Sequence, residues 1–311
     1  MPLNLFYKKN HYSLLTTHHF FSTFVPTMCY TLNIRGRLMD LNVPQVMGIL
    51  NATPDSFYAA SRVENEEAIA RRAREIVEQG GSIIDVGACS TRPGSEPATE
   101  QEEMERLRVA LPAARKAVPD GVVSVDTFRP SVARMAVEEF GVDMINDVGA
   151  PSNLPEGGGL PAEMFRMVAR LGVPYVLMSR AADMRTMLLE LARDVQQLRD
   201  YGQKDIIVDP GFGFGKTLEE NYAVLRDLEQ LKLLELPVLV GVSRKRMVWQ
   251  LLDVQPELAL NGTTVLNTMA LERGASILRV HDVKEAVECV RIVAATKPAE
   301  RVDNCKLSNC K

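Results

Sequence analysis

The sequence predicts an α/β protein built as a (β/α)8 barrel, the TIM-barrel architecture, with a short N-terminal β-hairpin. Eight short apolar segments have the pattern of buried strands, and segments with helical periodicity alternate with them. The whole pattern occupies about 250 residues, which is the usual size of such a barrel. An open doubly wound sheet is the alternative, but it would usually use fewer strands.

The predicted elements follow one another in a regular order. Residues 30–34 and 37–41 flank Gly36 and are typical of a short hairpin. Strands are then predicted at residues 46–50, 82–87, 122–125, 143–145, 174–178, 206–208, 238–242 and 276–280. Helices are predicted at residues 66–79, 100–117, 130–139, 161–170, 187–201, 219–234, 262–272 and 283–295. The fifth helix has little space, because residues 179–204 must also supply a loop.

The two ends of the chain do not share this pattern. Residues 1–27 carry scattered Phe, Tyr, His and Thr without any period, so we interpret them as a disordered or non-native extension, with Met28 as a candidate start. Residues 28–295 form the predicted barrel domain. Residues 296–311 are interpreted as a polar C-terminal tail.

The composition of the chain limits the classes of partner and the cellular compartment that we expect. The 311 residues carry a formal net charge of -4 and no basic block, which argues against a nucleic-acid partner. A membrane span is not predicted, because no apolar run reaches the ~18 residues that one needs. The five cysteines are scattered and form no CxxC pair, which indicates reduced thiols and a cytoplasmic location.

One stretch, residues 208–217, is a glycine-rich turn between a predicted strand and a predicted helix. A Walker A loop needs glycine six residues before Lys216, but Pro210 stands there, and the glycine spacing does not match a dinucleotide fingerprint. The stretch instead offers a carboxylate, Asp209, at the end of a buried strand, followed by two aromatic rings. This combination suits a flat heterocycle with N–H donors.

Polar side chains follow nearly every predicted strand, at the end where a barrel builds its active site. A single Asp or Asn in such a place is more often a helix N-cap, but agreement among so many strands indicates a ligand site. The residues are Asn51, Ser90, Thr91, Arg92, Asp126, Thr127, Asn146, Asp147, Met178, Asp209, Ser243, Arg244, Lys245, Arg279 and His281.

This set divides by chemistry into two groups. Acceptors and a donor for the edge of a nitrogen heterocycle come from Asp126, Asn146, Asp209 and Lys245. An anion site is predicted from Asn51, Arg92, Arg279 and His281, and the planar guanidinium of Arg279 could also stack on a ring. A ligand with a flat polar ring and a phosphate tail would satisfy both groups.

Seven motifs together resemble those of the dihydropteroate synthase family, in family order, from about residue 30 to residue 292. They are MGILNATPDSF at residues 47–57, STRPG at 90–94, SVDT at 124–127, IND at 145–147, DPGFGFGKT at 209–217, SRK at 243–245 and RVHD at 279–282. The resemblance implies that p-aminobenzoate displaces pyrophosphate from 6-hydroxymethyl-7,8-dihydropterin pyrophosphate, with Mg²⁺ on the pyrophosphate. It also implies a dissociative mechanism, a homodimer and a sulfonamide target.

The resemblance also implies a role for individual residues. Pterin would be bound by Asp126, Asn146, Met178, Asp209, Phe214 and Lys245. Pyrophosphate would be bound by Asn51, Arg279 and His281, with Asn51 also at the metal, and p-aminobenzoate by Thr91, Arg92 and Pro93. Catalysis would depend most on Lys245, Arg279, Asp126 and Asp209.

Some positions depart from the family pattern. Residues 56–61 read SFYAAS where an Asp-Gly pair is common, residues 179–182 read SRAA where His-Met is common, and Arg246 stands where serine is common. These departures keep open a pterin-binding homologue without turnover. A pterin-dependent methyltransferase of the methyltetrahydrofolate:corrinoid type is a second alternative, but it has no use for Thr91, Arg92 and the residues 279–281.

Overall fold

The computed structural model describes residues 29–52, 62–89, 98–149 and 161–296. The predicted N-terminal extension, the tail beyond Thr296 and the loops at 53–61, 90–97 and 150–160 lie outside the described residues. The predictions made for those segments therefore stay predictions.

The chain begins, within the described part, with the predicted hairpin. Strands β1 (Thr31–Ile34) and β2 (Arg37–Asp40) pair in antiparallel register, and Gly36 has a φ of 79° in the turn between them. Glycine reaches this left-handed region without a steric penalty. The hairpin prediction is confirmed.

A parallel sheet follows, and in the described residues it has eight strands in the order β8-β7-β6-β5-β4-β3-β10-β9. A parallel bridge from Val208 to Val238 joins its two ends and closes the barrel. The strands are β3 (Gln45–Asn51), β4 (Ile83–Gly87), β5 (Val122–Asp126), β6 (Met144–Asp147), β7 (Tyr175–Met178), β8 (Ile206–Asp209), β9 (Leu239–Val240) and β10 (Ile277–Val280). The predicted (β/α)8 barrel is confirmed.

Helices connect the strands on the outside of the barrel. They are α1 (Arg62–Glu78), α2 (Glu100–Ala117), α3 (Pro130–Phe140), α4 (Pro161–Leu171), α5 (Met184–Asp200), α6 (Leu218–Arg226), α7 (Arg246–Trp249), α8 (Leu260–Glu272) and α9 (Val283–Thr296). The fifth helix exists despite the short segment, because Asp183 caps it: the Asp183 side chain accepts a hydrogen bond from the backbone N–H of Thr186 at 2.9 Å.

Two predicted elements differ from the structure. The helix predicted for residues 219–234 ends at Arg226, and the chain continues as a 3₁₀-helix, Leu228–Leu234, whose three-residue turn keeps Leu228 and Leu231 together in the core. The strand predicted for residues 238–242 pairs with β10 only at Leu239–Val240. The chain then turns inward, and Arg244 adopts a left-handed φ of 52°.

The hairpin closes the N-terminal end of the barrel. Its buried side chains, Leu32 and Ile34, pack with Leu41 against apolar residues near the starts of the barrel strands. These residues are Met47, Ile83, Met144, Val176, Ile207, Leu239 and Ile277. The C-terminal ends of the strands, at the opposite end, are left for the polar residues of the site.

A buried ion-pair cluster ties this hairpin to the helical layer. The carboxylate of Asp143 is fully buried, accepts a hydrogen bond from the backbone N–H of Val123 at 2.8 Å, and pairs with Arg115 at 2.9 Å and with Arg35 from the hairpin turn. A buried carboxylate is stable only with partners of this kind.

Replacement of Asp143 by asparagine is expected to lower the free energy of unfolding by roughly 2–4 kcal/mol, because the two arginines lose a buried countercharge. Urea denaturation measures this change. Asp194→Asn is the matched control, since it removes the countercharge of the exposed Arg193 and should cost less than about 1 kcal/mol. Equal effects of the two substitutions would contradict the role given to Asp143.

Candidate active site

Arg279 is at the centre of the polar cluster inside the barrel. Its Nε donates a hydrogen bond to Asp85 Oδ2 at 2.6 Å, and its Nη2 donates to Asp126 Oδ2 at 2.7 Å. The same Asp85 oxygen accepts a hydrogen bond from Asn146 Nδ2 at 3.0 Å. The cluster therefore joins strands β4, β5, β6 and β10, and it brings together three of the residues that the sequence predicted.

Asp85 was not among the predicted site residues. It lies in the middle of β4 and is fully buried, whereas the sequence search considered the positions just beyond each strand. A carboxylate within the apolar run Ile83-Ile84-Asp85-Val86 is itself a signal, because burying it without partners would be costly.

Two acceptor atoms of this cluster are left over. Among the described residues, neither Asp85 Oδ1 nor Asn146 Oδ1 has a hydrogen-bond partner, and both atoms are buried. The Asn146 amide is oriented by Asp85, because an ionised carboxylate can only accept and so takes the amide N–H. The Asn146 oxygen is thus left for a donor that a ligand would bring.

The charged groups of the cluster shift one another's pKa values. Burial lowers the pKa of Arg279, but the negative charges of Asp85 and Asp126 outweigh this and raise that pKa above its ordinary value. Burial raises the pKa of Asp126 to about 7, although the charge of Arg279 opposes the shift and Asp85 adds to it. Burial is the main reason why Asp126 is protonated more easily than an exposed aspartate, and the neighbouring charge of Asp85 adds to it.

The stability of the protein should therefore depend on the protonation of Asp126. Its pKa is higher in the folded than in the unfolded chain, so the stabilisation is present below about pH 4 and is lost as the pH rises through about 7. Asparagine does not titrate. We expect the unfolding free energy of Asp126→Asn, relative to wild type, to increase by roughly 2–3 kcal/mol between about pH 5 and pH 8. Urea denaturation at both pH values measures this, and a constant difference would contradict it.

Asp209 and Lys245 form the second part of the site. Asp209 ends β8, is 6% exposed, and its Oδ1 accepts a hydrogen bond from the Gly211 backbone N–H at 2.7 Å. Burial raises the pKa of Asp209, against the opposing charge of Lys245. Burial likewise lowers the pKa of Lys245 to about 8, against the charge of Asp209. The charge of each group opposes the effect of burial on the other, but burial has the larger effect on both pKa values.

The Lys245 ammonium is held in place by the glycine-rich turn. Its Nζ donates a hydrogen bond to the carbonyl of Phe212 and lies 4.6 Å from the centroid of the Phe214 ring. Phe212 itself is fully buried in the core, so only Phe214 of the two aromatic rings reaches the site. Met178, half-buried at the end of β7, lies against the same turn at Gly211.

The shape of the turn depends on glycine and on Lys216. Gly211 has a φ of 65°, and a Cβ on it would lie 2.2 Å from the backbone oxygen of Ser179, so no other residue fits. The Lys216 ammonium is buried and donates hydrogen bonds to the carbonyls of Gly211, at 3.0 Å, and Ser179, at 3.4 Å. Lys216 thus supports the turn.

Three members of the predicted anion group, Asn51, Arg279 and His281, lie at the ends of β3 and β10, and Arg92 lies outside the described residues. His281 follows β10, and its Nδ1 is 3.1 Å from the hydroxyl of Ser243. Arg72 of α1 donates hydrogen bonds to the carbonyls of His281, at 2.7 Å, and Ile49, at 3.3 Å, which ties the two strands together. Burial lowers the pKa of His281 to about 4, and the charge of Arg279 adds to this shift.

Asn51 ends β3 and is exposed. Beside it, Gly87 leaves a gap: a Cβ on Gly87 would lie 3.7 Å from Asp126 Cβ and 4.0 Å from Asn51 Oδ1. The amide oxygen of Asn51 is a hard oxygen ligand, the type that Mg²⁺ prefers. Within the ranges that the structure describes, no group of three or more His, Cys, Asp and Glu could hold a metal ion alone.

Other predicted residues have different positions. Thr91, Arg92 and Pro93 lie outside the described residues. Asp147 points away from the site and accepts a hydrogen bond from the buried Tyr175 hydroxyl at 2.6 Å. Arg244 also points away, since it pairs with both carboxylate oxygens of Asp282 at 2.8 Å. Separately, none of the helices in the described segments is long and apolar enough to span a bilayer.

Comparisons with known proteins identify related chains. The family model of the pterin binding enzyme matches residues 47–281. The dihydropteroate synthase of Escherichia coli K12 is 37% identical over 283 residues, which cover 86% of this chain and 96% of that protein.

Solved structures are similar as well. A Yersinia pestis dihydropteroate synthase in a sulfonamide drug complex has a TM-score of 0.75 and 37% identity, and the Xanthomonas albilineans enzyme with 4-aminobenzoic acid has a TM-score of 0.75 and 34% identity. Each match covers 86% of this chain and 99% of the other. The chain therefore belongs to the dihydropteroate synthase family of pterin-binding enzymes.

Proposed function

We propose that the site at the C-terminal ends of the strands joins 6-hydroxymethyl-7,8-dihydropterin pyrophosphate to p-aminobenzoate, giving 7,8-dihydropteroate and pyrophosphate for folate biosynthesis. The observation that carries this proposal is the buried, unpaired acceptor Asn146 Oδ1, which lies in one cluster with Arg279. A ring with N–H donors would supply the hydrogen bond that Asn146 Oδ1 lacks. The pyrophosphate attached to that ring would interact with the Arg279 guanidinium.

The pterin ring has a donor edge and a carbonyl, and the site offers a partner for each. Asp209 and Asn146 would accept hydrogen bonds from ring N–H groups, and Asp126 would accept one from a further ring N–H. Lys245 would donate a hydrogen bond to the ring carbonyl. Phe214 and Met178 would form the apolar walls. The low exposure of Asp209 strengthens its hydrogen bonds, because water competes little there.

The pyrophosphate would be bound by Arg279, His281 and Asn51. Arg279 keeps its full charge beside Asp85 and Asp126, so it stabilises the negative charge that develops on the leaving group. Mg²⁺, with Asn51 as a protein ligand, would supply further charge neutralisation on the phosphates when it is bound. The amide oxygen at the gap beside Gly87 fits this ligand role.

The reaction is dissociative in this proposal. The bond between the pterin methylene carbon and the pyrophosphate oxygen breaks, and its electron pair leaves with pyrophosphate. The arylamine nitrogen then attacks the methylene carbon and loses one proton to water or to the released pyrophosphate. A strong general base is not needed, since an arylamine is largely neutral at pH 7. Lys245, Arg279, Asp126 and Asp209 act by holding and polarising the substrate.

The p-aminobenzoate subsite is proposed at Thr91, Arg92 and Pro93. The Xanthomonas albilineans relative was solved with 4-aminobenzoic acid and the Yersinia pestis relative with a sulfonamide drug, and these ligands support a sulfonamide-sensitive site in this chain too. Arg246, which begins α7, is exposed and could pair with the carboxylate of the second substrate.

A homodimer is proposed through the face formed by α8 and α9. A groove between these helices is lined by Leu258, Cys289 and Ile292, and the first and last of these are 70% and 65% exposed. Covering such side chains in a second copy would remove apolar area from water. Sedimentation equilibrium tests this, and a monomer at micromolar concentration would contradict it.

The cytoplasmic location stays a prediction from the cysteine pattern.

A turnover assay tests the main proposal. Pyrophosphate release should require both p-aminobenzoate and Mg²⁺, and a sulfonamide should compete with p-aminobenzoate. Pterin binding without release would instead identify a binding homologue, and methyl transfer from methyltetrahydrofolate would identify the methyltransferase type. Either result would overturn the proposal.

A further inference from the structure

Ser243 and His281 contact each other through two hydrogen bonds. Ser243 lies three residues beyond β9, His281 lies one residue beyond the neighbouring β10, and Ser243 is 4% exposed. The backbone N–H of His281 donates to Ser243 Oγ at 3.1 Å, and the same Oγ lies 3.1 Å from the ring nitrogen Nδ1. One buried hydroxyl thus contacts both the backbone and the side chain of a residue in the proposed anion site.

The number of protons available favours one arrangement. A serine hydroxyl has one proton to donate and two lone pairs, and one lone pair already accepts the His281 backbone N–H. If the hydroxyl donates to Nδ1, its proton is paired and the ring carries its own proton on Nε2. If Nδ1 carried the proton instead, the hydroxyl would need another acceptor, and in the described part of the chain Ser243 makes no other side-chain hydrogen bond.

The surrounding charges keep the ring neutral. Arg279 on β10, Arg244 in the turn after β9 and Arg72 on α1 all disfavour a positive imidazole, and Asp282 alone favours one. Burial has the largest effect, and together these influences place the pKa of His281 near 4. A neutral imidazole has one N–H and one bare nitrogen, so the choice of nitrogen decides whether the exposed side of the ring donates or accepts.

We propose that Ser243 is a positioning residue that holds His281 as the Nε2–H tautomer, so that the ring presents a neutral hydrogen-bond donor to the pyrophosphate. The identity of the anion rests on the proposed function; the tautomer does not. Arg279 lies on β10 and His281 one residue beyond its end, and the charge of Arg279 acts on the His281 ring, so both side chains lie at the same end of this strand. The opposite tautomer would turn a lone pair toward an anion.

No proton leaves the ring in this arrangement. His281 donates a hydrogen bond to a phosphate oxygen and keeps its proton, while Arg279 supplies the positive charge. A second cation beside Arg279 is thereby avoided, and the interaction does not depend on acidifying the protein. The contribution of His281 should consequently persist across the neutral pH range.

The nitrogen spectrum of the full chain tests the tautomer directly. With ¹⁵N-labelled histidine, the ring signals that disappear in His281→Asn belong to His281. At neutral pH we expect a protonated Nε2 and a bare Nδ1, with no titration between about pH 6 and pH 8. Inorganic pyrophosphate with Mg²⁺ should shift the Nε2 signal. A protonated Nδ1, a charged ring at pH 7 or an Nε2 signal indifferent to pyrophosphate would overturn the proposal.

Variants at Ser243 test whether this residue fixes the tautomer of His281. Ser243→Ala should give a mixture of tautomers and reduce kcat about tenfold or more with a smaller change in KM, whereas Ser243→Thr, which keeps a hydroxyl, should restore both. Ser276→Ala, at the start of β10, is the matched control and should change neither. A pure Nε2–H tautomer in Ser243→Ala would overturn the role of Ser243. If the wild-type protein makes no dihydropteroate but shows these spectra, the proposed function fails and the tautomer assignment stands.

Discussion

Asp209→Asn is expected to weaken pterin binding by roughly 10- to 100-fold, because a hydrogen bond to a charged group contributes about 1.5–3 kcal/mol. The Oδ1 atom of Asp209 is already held by the Gly211 N–H, so asparagine would keep its oxygen there and turn its N–H₂ toward the ring. Two donors would then face each other. Calorimetric titration with a 6-hydroxymethylpterin analogue measures the loss.

The same strand offers a matched control. Asp205 immediately precedes β8 at the hairpin end of the barrel, where it accepts a hydrogen bond from the Asn33 backbone N–H at 3.2 Å. Asp205→Asn makes the same chemical change far from the strand ends and should leave pterin affinity unaltered. Equal pterin affinity in Asp209→Asn and Asp205→Asn would remove Asp209 from the proposed site.

Arg279→Lys is expected to lower kcat by about 10²- to 10³-fold, which is the usual loss when a group that stabilises developing charge is removed. Lysine keeps the charge, but one ammonium cannot replace the planar fork that reaches Asp85 and Asp126 from different nitrogens. The affinity for pyrophosphate, measured by calorimetry with Mg²⁺ present, should fall as well.

Arg279→Ala is expected to lower both the stability of the protein and its affinity for pyrophosphate. It leaves two carboxylates without a countercharge in the barrel and should cost roughly 3–5 kcal/mol of unfolding free energy in addition to weakening pyrophosphate binding. Arg226→Lys, on the exposed end of α6, is the control for both assays. An Arg279→Lys variant with wild-type turnover would show that Arg279 has a structural role only.

The barrel could be predicted from the sequence because each buried strand is a short apolar run and each helix has an apolar face. The limits of the elements were harder to predict. Leu228 and Leu231 fit an α-helix and a 3₁₀-helix equally well, so the break after Arg226 carries no clear signal in the pattern. The length of β9 is set by how far its hydrogen-bonded ladder with β10 extends. That extent depends on tertiary structure and not on the local sequence.

The site was predicted in part. Asp126 and Asp209 end strands, Asn146 and Arg279 each lie one residue before a strand end, and Lys245 and His281 follow strands. The structure joins Asp126, Asn146 and Arg279 through hydrogen bonds that include Asp85. The charge of Arg279 also acts on Asp209, Lys245 and His281. Asp85 was missed because it lies within β4 rather than beyond it, and its pairing with Arg279, 194 residues away, becomes visible only in the closed barrel. Asp147 and Arg244 belong to the polar strand-end set, but their side chains pair with Tyr175 and Asp282.

The hairpin that closes the N-terminal end has a consequence for the order of addition. With β1 and β2 packed across that end, both substrates have to enter and both products have to leave through the opposite mouth of the barrel. The partners proposed for the pterin ring lie at the bottom of this mouth, and the arylamine must approach the exocyclic methylene from above. A bound arylamine would therefore obstruct the ring, so the pterin substrate should bind first and dihydropteroate should be released as one piece through the same mouth.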